Sequence, residues 1–192
     1  MTERICNTDD CELVEKKIKS SIMFEGSILK LYFDEVLLPN GKTATREKVT
    51  HPGAVAVVPV NQNNEVILVR QYRYPIEKIL IEIPAGKLNK GEPPIICAER
   101  ELHEEAGAKN GRLTHLVTIY TSPGFSDEKM EIYLATDFIE EANKPDYDEF
   151  LAVEKISLEK CIEMIENGTI NDAKTIIGIM CARDWLKKNA IE

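Results

Sequence analysis

Residues 86–108 read GKLNKGEPPIICAERELHEEAGA and place acidic side chains at Glu92, Glu99, Glu101, Glu104 and Glu105 beside a glycine-bearing loop. Pro93 and Pro94 predict a helix start, because proline's missing N–H is no loss in the first turn. Gly107 predicts its end. Positions three and four apart lie one above the other on a helix, which sets Glu101, Glu104 and Glu105 on one face and leaves Ala98, Leu102 and Ala106 for the buried side. An acidic face of this kind is ordinarily just a solvated surface. Here, however, like charges at that spacing repel by roughly 0.2–0.5 kcal/mol per pair, and Arg100 and Lys109 are the cations at hand. A hard divalent ion, Mg²⁺ or Mn²⁺, converts that repulsion into binding, since it prefers carboxylate and carbonyl oxygens and completes its shell with water and substrate phosphates. The chemistry expected is metal-assisted work on a diphosphate.

The rest of the chain must position that helix. With 192 residues and 43% hydrophobic content, it can bury one sizeable core. Residues 1–19 are charged and without period, a frayed end or a short helix from Asp10 to Lys19. Ser20–Leu38 reads as one or two strands, Asn40-Gly41 as a hairpin turn, and Thr43–Thr50 as the return strand, an antiparallel unit too small to stand alone. AVAVVPV and EVILVRQYR, joined by the polar turn NQNNE, are apolar enough for a central sheet covered on both faces. ILIEIPAGKL carries Glu82 in a strand that runs into Gly86, which places this acid toward a cleft. LTHLVTIYTSPGF and KMEIYLATDF are strands flanking a Ser122-Pro123-Gly124 loop that can lie beside the site, EEANKPDYDE is a surface loop, and FLAVEKIS is a last strand. Ser157 caps a helix that Asn167-Gly168 stops, and a final helix runs from about Asp172 to Lys188. The whole reads as an α/β protein.

Composition narrows the function classes. A net charge of −9 without any Lys/Arg cluster argues against nucleic-acid binding. No stretch approaches ~20 apolar residues, and the N-terminus has neither an apolar signal core nor an Arg-rich amphipathic pattern, so the expectation is a cytoplasmic protein without a membrane partner. The cysteines at 6, 11, 97, 161 and 181 are odd in number and form no CxxC pair, which points to reduced thiols, with Cys97 and Cys181 packed. Ser122 and Ser126 have no His/Asp activation pattern, and His115 sits in a strand without nearby partners, so covalent acyl chemistry is unsupported.

The order Gly86, Glu92, then Arg100-Glu101-Leu102-His103-Glu104-Glu105-Ala106-Gly107 resembles the signature box of the Nudix hydrolases; Ala108 stands where that family usually has a larger aliphatic residue. Pro123 in SPGFSDE, together with TREKVTHPGAVAVVPV and NGTINDAKTIIGIMCARDWL, is similar to the ADP-ribose pyrophosphatase subfamily. The resemblance implies a Nudix α/β/α sandwich with a mixed sheet, residues 49–192, preceded by an antiparallel β-unit, residues 1–48, that helps form a homodimer. It implies hydrolysis of a small nucleoside diphosphate sugar, ADP-ribose, to AMP and ribose 5-phosphate, with Mg²⁺ as cofactor and Mn²⁺ as the alternative.

Carried over by position, Glu101 and Glu105 would be the principal metal ligands, Glu104 a supporting one with a part in catalysis, and Ala85 a ligand through its carbonyl. Glu82 would sit at the substrate edge of the site. Arg73 would contact the diphosphate or terminal ribose, Arg46 and Glu47 would approach the ligand across the dimer interface, and Pro123 and Gly124 would border the substrate. Glu92 and Arg100 would be structural or would orient the ligands. Glu149, next to Asp146 and Asp148 in its loop, aligns best with the general base. Two rival readings remain: hydrolysis of another nucleotide sugar such as GDP-mannose, and a non-catalytic Nudix ligand sensor, against which the intact Glu101, Glu104 and Glu105 argue. Hydrolysis of RNA 5′ ends fits poorly with the acidic balance.

Overall fold

Hydrophobic alternation and turn chemistry resolve into twelve strands and three α-helices in the computed structural model, which describes residues 10–144, 147 and 149–189. The described residues form two compact units, one holding those up to His51 with Ser122–Glu128, the other holding Pro52–Thr121 and those from Lys129 onward.

In the first unit a 3₁₀ turn, Asp10–Leu13, leads into β1 (Lys16–Glu25), β2 (Lys30–Leu37) and β3 (Thr43–Thr50), an antiparallel sheet in the order β1-β2-β3. Gly26 N–H bonds to the Leu29 carbonyl at 3.0 Å to close the first hairpin, and Gly41, at φ +80°, supplies the left-handed residue of the second. Of the two alternatives for this end, the short helix from Asp10 to Lys19 is corrected here, since only a 3₁₀ turn at Asp10–Leu13 precedes strand from Lys16 among the described residues. Every residue of β1 is exposed, so no one-sided burial writes an alternating pattern into its sequence. The loop carrying Pro123 and Gly124 belongs to this unit. Val49 N–H donates to the Phe125 carbonyl at 2.7 Å and Asp127 N–H to the Val49 carbonyl at 3.1 Å, tying that loop to the end of β3.

The second unit runs β4 (Ala54–Pro59), β5 (Glu65–Arg73), β6 (Lys78–Glu82), β7 (Ala85–Lys87), α1 (Pro94–Ala106), β8 (Ala108–Lys109), β9 (Arg112–Tyr120), β10 (Lys129–Thr136), β11 (Ile139–Glu140), β12 (Leu151–Ser157), α2 (Leu158–Glu166) and α3 (Ala173–Asn189). A mixed sheet in the order β7-β4-β10-β9, with β10 parallel to β4, forms its centre; β12-β5-β6 makes an antiparallel sheet and β11-β8 a short pair. Although consecutive and joined by a tight turn, β4 and β5 belong to different sheets, with an isolated Val60–Val66 bridge beside the turn. Asn61 accounts for that turn: its Oδ1 accepts from Asn63 and Glu65 N–H, both at 3.0 Å, while Asn64 adopts φ +59°.

All of β4 is buried, as its unbroken apolar run predicts. Ala54, Ala56 and Val58 pack with Leu158, Cys161, Ile179 and Ala182 of α2 and α3, whereas Val55 and Val57 pack with Cys97, Ala98 and Leu102 of α1. Successive side chains of a strand point to opposite faces, so this one element is the middle layer of an α/β/α sandwich. Cys97 and Cys161 are buried free thiols; Cys181 is only partly buried.

Helix α3 packs tightly on the sheet at Gly178, where a Cβ would come within 2.8 Å of Ile83 Cδ1 and 2.9 Å of Val58 Cγ2. Gly178→Val is therefore expected to destabilise the fold by about 1–3 kcal/mol through overpacking. Urea unfolding checks this; a midpoint equal to that of the unmodified protein would contradict the close packing.

Candidate active site

Helix α1 is delimited as its sequence predicts. Pro93 is its N-cap, and Gly107, at φ +62°, ends it with an N–H that bonds to the His103 carbonyl at 3.1 Å. Within it Glu101 and Glu105 are only 6% and 2% exposed, on a par with the neighbouring apolar Ala106. The acidic face is thus turned inward. Gly86 makes room for it: a Cβ there would overlap the Glu101 carboxylate outright, so this position must be glycine for Glu101 to sit where it does. Ala85, beside it on β7, donates its N–H to Glu105 Oε2 at 2.9 Å.

Two acids buried this close are electrostatically unfavourable when ionised. Burial pushes the Glu105 carboxyl up to about 8 against the Ala85 hydrogen bond, and the charges of Glu101 and Glu149 push in the same direction as burial. Burial likewise raises Glu101, even though Arg100 opposes it. Glu149 precedes β12 and is half-buried; its charge acts on both Glu101 and Glu105, so the loop acid and the helix acids share one electrostatic site. Asp146 and Asp148 lie outside the described residues.

Arg100 is the hub of one flank. Its Nη1 donates to Glu101 Oε1 at 2.6 Å and to Glu104 Oε2 at 2.9 Å, and its Nε to Glu92 Oε1 at 3.1 Å. The Arg100 hydrogen bond, helped by the Asn89 N–H, holds the Glu92 carboxyl down at about 2. Glu92 thereby spans the loop and the helix, with Asn89 N–H on one oxygen at 2.8 Å. Arg100 thereby links Glu92 to Glu101 and Glu104.

On the other flank Glu82 is 0% exposed, and its carboxylate is engaged by two cations. Arg73 Nε and Nη2 donate to its two oxygens at 2.7 and 2.6 Å, and Lys174 Nζ pairs with Oε2. Burial alone would raise Glu82, but the Arg73 hydrogen bond and the charge of Lys174 prevail and hold it below the usual carboxylate range. An unpaired carboxylate cannot sit in apolar surroundings, which is why the strand acid draws cations from β5 and α3. Arg73 also feels Glu105, which joins this flank to the acidic centre. Lys174 and Asp172 go unnoticed in a sequence reading, where they look like the polar start of a helix.

Ala85, Glu82, Arg73, Glu101, Glu104, Glu105 and Glu149 all belong to the second unit; Arg46, Glu47, Pro123 and Gly124 belong to the first. There Arg46 donates from Nε to Glu15 at 3.0 Å and from Nη1 to the Thr45 carbonyl at 2.9 Å. Among the described residues no three His, Cys, Asp or Glu side chains stand in a metal-holding arrangement; Glu101 and Glu104 bond to Arg100, and Glu105 to the Ala85 N–H. The donor set nevertheless suits a hard divalent cation, being carboxylate oxygen beside strand backbone, with two buried acids whose ionised forms such a cation would stabilise.

Residues 50–177 match the NUDIX domain. The chain is 45% identical over 169 residues to an ADP-ribose pyrophosphatase of Bacillus subtilis (strain 168), spanning 87% of this chain and 91% of that protein. It is 44% identical over 167 residues to the methanol dehydrogenase activator of Bacillus methanolicus, spanning 86% and 90%. Among solved structures, the crystal structure of an ADP compounds hydrolase is similar with a TM-score of 0.81 at 25% identity, over 91% of this chain and 95% of that one. Helix, glycine seat, sandwich and domain match agree, and the chain belongs to the Nudix hydrolase family.

Proposed function

We propose that the protein is a Mg²⁺-dependent hydrolase, with Mn²⁺ as the alternative ion, that cleaves the diphosphate of ADP-ribose to AMP and ribose 5-phosphate as a cytoplasmic homodimer. The observation that carries this reading is the buried Glu101–Glu105 pair, seated on Gly86 and Ala85 within the electrostatic reach of Glu149 and Arg73. The substrate is supported by the name of the Bacillus subtilis relative; the Bacillus methanolicus relative is named for an activation and not for a substrate. GDP-mannose is the rival substrate, and a panel of nucleotide sugars separates the two.

In this reading Glu101, Glu105 and the Ala85 carbonyl hold the cation, and Glu104 supports them. A divalent ion held there would supply Lewis-acid stabilisation of diphosphate charge and would acidify water. Arg100 and Glu92 keep the ligand acids oriented on the helix. Arg73 offers its guanidinium to a phosphate oxygen. Glu149 takes a proton from the attacking water as the new P–O bond forms and the bridging P–O bond of the diphosphate breaks, its place in a loop allowing it to reach over the bound substrate.

The homodimer is supported by the first unit. Ile18, Ile22, Met23 and Phe24 of β1 are each more than half exposed, and an apolar strand face of that kind marks an interaction surface. The cytoplasmic assignment draws on the free thiols and the acidic soluble-type composition; among the described residues no helix is long and apolar enough to cross a membrane.

Glu101→Gln and Glu105→Gln are expected to abolish nearly all ADP-ribose hydrolysis while leaving the far-UV spectrum unchanged. Glu149→Gln is expected to lower kcat by ~10²–10⁴, the usual contribution of a positioned base, with KM and Mg²⁺ affinity little altered. Full rate in Glu149→Gln together with loss in Asp148→Asn would move the base to the neighbouring acid. Deleting residues 1–48 should give monomeric or insoluble, inactive protein; sedimentation showing a stable and fully active monomer would refute the dimer.

A further inference from the structure

Arg73 is gripped along one edge. Nε and Nη2 are engaged by Glu82 at 2.7 and 2.6 Å, while the side chain stays 39% exposed and Nη1 has no partner among the described residues. A guanidinium fixed in this way presents its free edge in one direction only, provided the carboxylate behind it does not move.

What fixes that carboxylate lies on α3. Lys174, itself only 8% exposed, pairs with Glu82 Oε2, the oxygen that also receives Arg73 Nη2. Asp172 Oδ2 holds Lys174 Nζ at 3.0 Å and accepts from Thr175 N–H at 3.0 Å and Thr175 Oγ1 at 2.6 Å. Thr175 Oγ1 in turn accepts the Ile83 N–H at 2.9 Å. The start of α3 is therefore bonded to two successive residues at the end of β6, Glu82 by charge and Ile83 by hydrogen bond, in a closed loop of contacts. Lys174 is too deeply placed and too fully engaged to meet a substrate itself. Without it, a fully buried carboxylate would depend on one half-exposed cation, an arrangement that leaves buried charge undercompensated and free to shift.

We propose that Lys174 is a positioning residue which, clamped by Asp172, pins Glu82 so that the free edge of Arg73 points at an anionic oxygen of the substrate diphosphate. This rests on the hydrolase reading above.

The test uses full-length protein, ADP-ribose and the variants Lys174→Met, Asp172→Asn, Arg73→Ala and the Lys174→Met/Arg73→Ala double. Lys174→Met should raise KM about tenfold, the scale of one charge-assisted hydrogen bond, with kcat within about threefold of the unmodified enzyme. If Lys174 acts through Arg73, the double variant should match Arg73→Ala alone, whereas a merely structural lysine would add its own factor. Asp172→Asn should move KM in the same direction by less. A readout without substrate accompanies these: the Arg73 Nε–H, followed by ¹⁵N NMR, should exchange slowly in the unmodified protein and rapidly in Lys174→Met. Unchanged KM and unchanged exchange in Lys174→Met would overturn the proposal, as would an equal KM increase from Lys174→Met in the Arg73→Ala background. Should Lys174→Met not fold, Asp172→Asn decides by the same exchange measurement, unchanged protection overturning the proposal. Should the unmodified protein not hydrolyse ADP-ribose, the hydrolase reading fails, and the exchange of Arg73 in Lys174→Met alone decides its positioning.

Discussion

The second unit is built around a repulsion: two carboxylates, Glu101 and Glu105, are taken out of water on adjacent turns of α1 and set against strand β7. Nothing about hydrophobic burial favours this. The surrounding sequence tolerates it through specific concessions, namely no side chain at Gly86, an N–H from Ala85, and a guanidinium from Arg100 that reaches Glu101. Even so, both carboxyls are displaced upward by burial. A fold that keeps such a pair has spent stability on a site, the usual relation between strained centres and function.

Around that pair the charges are arranged in two separate flanks. Arg100 with Glu92 orders the N-terminal side of the helix, and Arg73, Glu82, Lys174 and Asp172 order the side beneath β6. The two differ in what engages each guanidinium. Arg100 is enclosed by the acids it orients, with Glu101, Glu104 and Glu92 all on its guanidinium. Arg73 is held along one edge by Glu82, and its Nη1 has no partner among the described residues. The same residue type is thus engaged by three acids on one flank and by one on the other.

Much of this was legible in the sequence, for identifiable reasons. Proline at the start and glycine at the end delimited α1, and the unbroken apolar run of β4 foretold a strand covered on both faces. Local signals of this kind need no knowledge of distant contacts. The burial of Glu82 was not legible, because the lysine that makes it tolerable lies 92 residues further on. Nor was the start of β1, whose exposed faces leave no alternation to read. The inward turn of Glu101 and Glu105 was hidden for a third reason: helical spacing groups them on a face, but only the absent side chain at Gly86 reveals that the face is a buried one. The spacing also grouped Glu104 with them, whereas Arg100 draws Glu101 and Glu104 toward one flank and leaves Glu105 on Ala85.

The central claim is that the buried acids of α1 are a cation site. Anomalous diffraction from crystals soaked in Mn²⁺ tests it most directly. The account predicts a peak within coordination distance, about 2–2.6 Å, of oxygens from Glu101, Glu105 and the Ala85 carbonyl, with the Glu101 side chain released from Arg100, and its loss in Glu105→Gln. A peak elsewhere in the molecule with none at these oxygens, or one that survives in Glu105→Gln unchanged, would contradict it.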